Sequence, residues 1–187
     1  ELKMRISIWG DYACPYCYIG ETYLQKAIKE LGVEDKIEYD LNAFQIDLDA
    51  PKSTNNTNAA LLAYENYVSL DITDAEAVDR VISEVNPDVI VHCAAWTAVD
   101  MAEDDDKVAA VRKVNVDGTQ NIANVAKKLD APMVYLSTDY VFDGQGTTPW
   151  EPDFKGYKPL NVYGQTKLGG EEAVSNTLDK YFIVRIA

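Results

Sequence analysis

Ile6-Ser7-Ile8-Trp9-Gly10-Asp11-Tyr12-Ala13-Cys14-Pro15-Tyr16-Cys17 runs a short apolar strand straight into a Cys-x-x-Cys at the start of a helix. Residues 5–9 form the strand, and Pro15 fits the first helical turn, where its missing N–H has no partner to lose. Tyr23, Leu24, Ala27, Ile28 and Leu31 then recur on one helical face until Gly32 stops it. Residues 37–44 read as the next strand. Working outward, the polar and breaker-rich residues 47–58 read as loop, residues 59–64 as a short helix and residues 67–70 as a strand. Thr73 or Asp74 caps a helix through Val85, and Asn86-Pro87-Asp88 turns into a strand over 89–93. A long helix over 107–129, a strand over 132–137, a helix over 162–178 and a strand over 181–186 complete the alternation. Six β-α repeats predict an α/β fold of three layers, a doubly wound parallel sheet with helices on both faces.

Composition sets outer limits. The 187 residues are 47% apolar, enough for a packed core in one domain. With 17 basic against 31 acidic residues the formal charge is -14, which repels a phosphate backbone, so neither nucleic acid nor an anionic membrane is an expected partner. No apolar run approaches the roughly 20 residues needed to span a bilayer, and Glu1-Leu2-Lys3-Met4 does not read as a signal peptide. A cytoplasmic setting is the expectation. Three cysteines, Cys14, Cys17 and Cys93, are too few for a disulfide scaffold, and Cys93 reads as a small core residue. The acidic run Glu103-Asp104-Asp105-Asp106 reads as a solvated helix start, and no metal site is expected.

Five stretches of the later chain go together: Leu70-Asp71-Ile72-Thr73-Asp74, Pro87-Asp88-Val89-Ile90-Val91-His92-Cys93-Ala94-Ala95, Val114-Asn115-Val116, Ser137-Thr138-Asp139-Tyr140-Val141-Phe142-Asp143-Gly144 and Pro159-Leu160-Asn161-Val162-Tyr163-Gly164-Gln165-Thr166-Lys167. From about residue 68 to 187 the chain resembles the NAD(P)-dependent dTDP-4-dehydrorhamnose reductases, extended members of the short-chain dehydrogenase/reductase family. Joined to the opening β-α-β, this part predicts a Rossmann-like sheet of about six strands in the order 3-2-1-4-5-6. The resemblance implies Tyr163 as the general acid that protonates a carbonyl oxygen as hydride arrives. Lys167, one turn on, would lower the tyrosine pKa and hold the nicotinamide ribose, with Thr138 orienting the substrate oxygen. Asp71 and Ile72 would border the adenine, and Ala94, Ala95, Thr97 and Asn115 would line the cofactor groove.

The chain departs from that family at the front, where its members carry Gly-x-x-Gly-x-x-Gly so that the backbone can approach a pyrophosphate at a helix N-terminus. Gly10, Gly20 and Gly32 have the wrong spacing, and Tyr12, Pro15 and Tyr16 fill the turn. No bound cofactor is therefore expected, and NAD(P) should bind weakly at best. The chain also stops at Ala187, directly after a strand, so the part that grips the nucleotide-sugar is expected to be missing. Gly169-Gly170 inside a predicted helix is a further oddity, since glycine there costs on the order of 1 kcal/mol relative to alanine.

Residues 4 to about 54, with Ser7-Ile8-Trp9, Asp11-Tyr12-Ala13-Cys14-Pro15-Tyr16-Cys17-Tyr18-Ile19-Gly20 and Phe44-Gln45, resemble the opening β-α-β of DsbA-family thioredoxin-like oxidoreductases of the FrnE-like branch. That resemblance implies Cys14 as the attacking thiolate and Cys17 as the resolving thiol. Together the two resemblances predict one recombined or engineered domain over 1–187: a thioredoxin-like segment 1–54, a junction 55–67 and a reductase-like segment 68–187. Such a chimera would hold two incomplete oxidoreductase sites and lack the full activity of either parent. The alternatives are a residual thiol-disulfide oxidoreductase acting through Cys14-Pro15-Tyr16-Cys17, and a weak NAD(P)-binding remnant of a dTDP-4-dehydrorhamnose reductase. Parents cut inside their own domains would leave apolar surface, so a homodimer is the partner left open.

Overall fold

The computed structural model describes residues 3–10, 15–43, 70–145 and 147–186. β1 (Met4–Gly10), α1 (Pro15–Leu31) and β2 (Ile37–Ala43) open the chain, and Gly32 ends the helix at a φ of 60°, which it tolerates because it has no Cβ. Asp74 takes the capping role for α2 (Ala75–Val85), its carboxylate accepting from the amides of Glu76 and Ala77. Such a cap contributes about 1 kcal/mol. β3 (Val89–His92) follows, then α3 (Val108–Arg112), which continues through a π-helical segment, Lys113–Gly118, into α4 (Thr119–Leu129). The long helix expected from periodicity is thus present, but it carries a wide turn at its middle. β4 (Met133–Thr138), α5 (Val162–Thr177) and β5 (Tyr181–Ile186) close the order.

All five strands described run parallel in one sheet, ordered β2-β1-β3-β4-β5. Ile6 pairs with Val89 and Trp9 with His92, so β1 is flanked by β2 on one side and β3 on the other. This is the order expected, without the strand expected over 67–70: residues 67–69 lie outside the described residues, and Leu70 belongs to no strand. The sixth strand is therefore not shown. The short helix expected over 59–64 also lies outside them. Nor does the β1-α1-β2 unit carry a thioredoxin signature, since a parallel strand-helix-strand crossover opens both fold types.

Helix α2 packs on α4 and α4 on α5, and beneath them Ile72, Val78, Ile82, Ile90, Ile122 and Val174 are sealed from solvent with Met133 and Tyr135. Each such side chain contributes roughly 1.5–3 kcal/mol by leaving water. Alternation turns Val134 and Leu136 of β4 and Phe182, Val184 and Ile186 of β5 to the opposite face, where the β5 residues are exposed.

Two buried features deviate from an ordinary apolar core. One is His92, stacked on Tyr135 with ring centroids 5.5 Å apart and fully buried. Thr119 Oγ1 donates to the Asn115 carbonyl at 2.8 Å, so in the 3.0 Å contact between His92 Nε2 and Thr119 the imidazole is the donor. Nδ1 then carries the lone pair, and among the described residues it meets no partner. Burial, reinforced by the charge of Lys167, lowers the His92 pKa to about 3. The other feature is Gly170 in α5. A Cβ there would meet the Tyr135 hydroxyl, and the Asn115 carbonyl oxygen at 2.8 Å. A Cβ on its neighbour Gly169 would meet Val116 Cγ2 at 2.9 Å, so both glycines let α5 sit close against β4 and the π-helical turn.

Two outcomes follow from these contacts. The unfolded chain takes up a proton at an imidazole pKa near 6.5 while the folded chain resists until about 3. The stabilisation is therefore complete above 6.5 and is lost as pH falls through that window, by about 1.4 kcal/mol per unit at its steepest. His92→Leu should flatten the fall in melting temperature between pH 7 and pH 4, and an acid limb identical to that of the parent protein would contradict the assignment. Gly170→Ala gains about 1 kcal/mol of helix propensity but overpacks a rigid contact, which costs about 1–3 kcal/mol. A lower urea midpoint is expected; an equal or higher one would mean that α5 does not sit this close.

Candidate functional site

In a parallel sheet the carboxyl ends of all strands lie along one edge, and helices begin just beyond it. At that edge β3 gives way to Cys93-Ala94-Ala95-Trp96-Thr97, and β4 ends on Thr138. Helix α5 starts nearby, capped by Asn161, whose side-chain oxygen accepts from Gly164 N at 2.7 Å. The first turn is fixed a second time: Glu103 Oε1 accepts from Val162 N at 2.6 Å, one residue before Tyr163. Thus one member of the acidic run expected to be merely solvated anchors the helix that carries Tyr163 and Lys167. Among the described residues, no group of three His, Cys, Asp or Glu side chains could hold a metal ion.

Tyr163 is half-buried, with the ring of Tyr140 edge-on at 5.8 Å. Lys167, one turn along, is 3% exposed, and its Nζ donates to the Leu136 carbonyl at 2.7 Å while lying 4.2 Å from the centroid of the Tyr135 ring. An ammonium taken out of water needs such partners. Beside it, burial pushes the Tyr135 phenol far above its ordinary range, so Tyr135 stays neutral as a wall of the site. Thr138 is buried next to Leu136 and Ser137, and its hydroxyl caps the turn that follows, accepting from Tyr140 N at 3.2 Å. The structure therefore brings Thr138, Tyr163 and Lys167 to one end of the sheet, on β4 and α5.

The residues expected to line a cofactor groove sort into three groups. Ala94 and Ala95 are buried just past β3, and Thr97 is exposed beyond them. Asn115 is 1% exposed and fully committed: its Oδ1 accepts from Trp96 N at 2.7 Å, and its Nδ2 donates to Trp96 O and to Thr166 Oγ1. It holds the loop after β3 against α5. Asp71 is exposed, with one carboxylate oxygen on Thr73 N at 2.8 Å, but Ile72 is a correction. Its side chain has no exposed surface and packs in the core near Gly118, so it does not border a groove. Cys14 lies outside the described residues; Cys17 falls in the first turn of α1, and nothing described places the two thiols together. Cys93 is half-buried, not sealed in the core as expected.

Sequence reasoning missed Glu103, and it missed Glu171 and Arg185. The signal for Glu171 was its spacing, four residues after Lys167 on the face that also carries Tyr163.

The model of the RmlD substrate binding domain matches residues 45–187. The dTDP-4-dehydrorhamnose reductase of Streptomyces griseus is 45% identical over 119 residues, 63% of this chain and 38% of that enzyme. A crystal structure of a dTDP-4-dehydrorhamnose reductase from Clostridium acetobutylicum superposes with a TM-score of 0.71 at 31% identity, covering 98% of this chain and 53% of that one. The dTDP-4-dehydrorhamnose reductase of Bacillus anthracis in complex with NADP gives 0.65 at 31% identity, covering 99% and 54%. The chain thus spans about half the length of these solved relatives, and less of the Streptomyces enzyme. These superpositions extend over almost the whole chain, where a dithiol-oxidoreductase segment 1–54 had been expected, and none of the relatives named here supports that segment or a chimera. The matched model, the curated relative and the placement of Tyr163 and Lys167 lead to one conclusion: this chain belongs to the RmlD substrate binding domain family of dTDP-4-dehydrorhamnose reductase relatives.

Proposed function

We propose that this chain carries the NAD(P)-binding and acid-base part of a reductase that converts the 4-keto group of a dTDP-sugar to an alcohol. The observation that carries the reading is the buried Lys167 ammonium, one turn after Tyr163 and packed on the end of β4. A charge kept in such a place at the cost of desolvation is better explained by chemistry than by stability. NAD(P)H, when bound, supplies the hydride to the carbonyl carbon. Tyr163 Oη gives its proton to the carbonyl oxygen as negative charge develops there, and Lys167 stabilises the tyrosinate left behind. Thr138 orients the same oxygen through its hydroxyl. Thr97, exposed just past the buried Ala94 and Ala95, is open to a ligand beyond β3, and the exposed Asp71 suits the ribose hydroxyls at the adenine end. The residues present fit the nicotinamide end well and the pyrophosphate end poorly, since Tyr12, Pro15 and Tyr16 stand where the family carries glycines. All of this lies in a single domain over residues 1–187 in our reading.

A second reading, thiol-disulfide exchange with Cys14 attacking, draws on one observation: α1 begins at Pro15, so Cys17, the expected resolving thiol, falls in its first turn. An apparent Cys14 pKa at or above about 8.5 by alkylation would remove it.

Reductase activity is tested with NADPH and dTDP-4-dehydrorhamnose. Tyr163→Phe should lower turnover about 10²–10⁴-fold, with NADPH affinity kept. Two lost amide contacts at about 1.5–3 kcal/mol each should leave that affinity on the order of a hundredfold weaker than a glycine turn would give. Turnover by the phenylalanine variant equal to that of the parent would overturn the acid role, and a micromolar NADPH dissociation constant would overturn the weak-binding claim.

A further inference from the structure

A carboxylate outside the acid-base pair is buried at the same end of the sheet. Glu171 follows Lys167 by four residues and Tyr163 by eight, on one helical face, and it is 3% exposed. Its Oε1 accepts from Ser137 Oγ at 2.6 Å and from Arg185 Nε at 2.8 Å, and its Oε2 accepts from a terminal guanidinium nitrogen of Arg185 at 2.7 Å. Arg185 lies on β5 directly across from Ser137, and its guanidinium also reaches the Tyr157 hydroxyl at 2.8 Å. Successive residues of β4 are therefore held by successive turns of α5: Leu136 by Lys167 and Ser137 by Glu171. The next residue is Thr138.

A buried ion pair is a poor device for stability, because its desolvation offsets most of its attraction and an apolar pair of equal volume serves as well. What a bidentate pair does supply is geometry. Resting on the reductase reading above, we propose that Glu171 is a positioning residue: gripped by Arg185, its carboxylate fixes Ser137, and through Ser137 it sets Thr138 in register with Tyr163 and Lys167. Removing the tie leaves the helix pair and the cofactor groove intact but lets the end of β4 drift.

Ser137→Ala is the sharpest variant, since it deletes the tie and keeps the ion pair; Ser137→Thr restores a hydroxyl. Two readouts are taken on the full chain, amide hydrogen exchange over residues 137–141 and steady-state reduction. With Ser137→Ala, exchange in 137–141 should quicken roughly tenfold while residues 163–171 keep their protection, as expected for losing one hydrogen bond to a charged group. Turnover should fall by a similar factor with KM for NADPH unchanged, and Ser137→Thr should recover both. Unchanged exchange over 137–141 overturns the proposal. So does a variant whose melting temperature and turnover fall while KM for NADPH rises, because a merely structural role predicts that. If the parent chain shows no reduction at all, the reductase reading fails, and the exchange result alone then decides whether Glu171 fixes the end of β4.

Discussion

Helix α5 can lie flush on β4 because Gly170 has no side chain to hold it off. With the Tyr135 hydroxyl and the Asn115 carbonyl against that position, any Cβ would lift the helix. The close approach brings the Lys167 ammonium to the Leu136 carbonyl and the Glu171 carboxylate to the Ser137 hydroxyl. It also sets Thr166 within reach of Asn115, which in turn holds the loop after β3 through Trp96. Interiors are close-packed, so a shift of a few tenths of an ångström at Gly170 would be felt at each of these contacts. The local cost of two glycines in a helix is thereby offset by the tertiary contacts that their absence of side chains permits.

The chemistry inherits this geometry. A tyrosine is an effective proton donor near neutral pH only when a nearby cation stabilises its anion, and the cation must be kept from bulk water to act strongly. In the proposed reading Lys167 is that cation, with the neutral Tyr135 ring below and a carbonyl as anchor. The formal charge of -14 works the other way, because a strongly acidic chain slows the approach of a phosphate-bearing cofactor. In the proposed reading, this charge and the glycine-poor opening sequence leave the acid-base residues better preserved than the cofactor grip.

Much of the fold could be read from the chain. The strand at Tyr181–Ile186, the helix end at Gly32 and the Asp74 cap were legible from alternation, a positive-φ glycine and a capping residue. The π-helical turn at Lys113–Gly118 was not, because a wide turn inside an unbroken helix leaves the periodicity of its apolar residues nearly intact. In the site, Tyr163, Lys167 and Thr138 were legible as words of a family pattern. Ile72 misled because an apolar residue next to an aspartate at a strand end has no sign that separates groove from core. Glu103, Glu171 and Arg185 were hidden because their partners are 59, 34 and 14 residues away, and single-sequence reading cannot see such pairings. The Cys-x-x-Cys was overread: a parallel β-α-β and a dithiol spacing are shared too widely to establish a second parent.

The central claim is that the end of the sheet at β3, β4 and α5 receives a nicotinamide cofactor. Amide hydrogen exchange of the full chain with NADP at millimolar concentration tests it most directly. The account predicts added protection over residues 94–97, 136–140 and 163–167. Protection absent there, or confined to residues around Cys14 and Cys17, would contradict it.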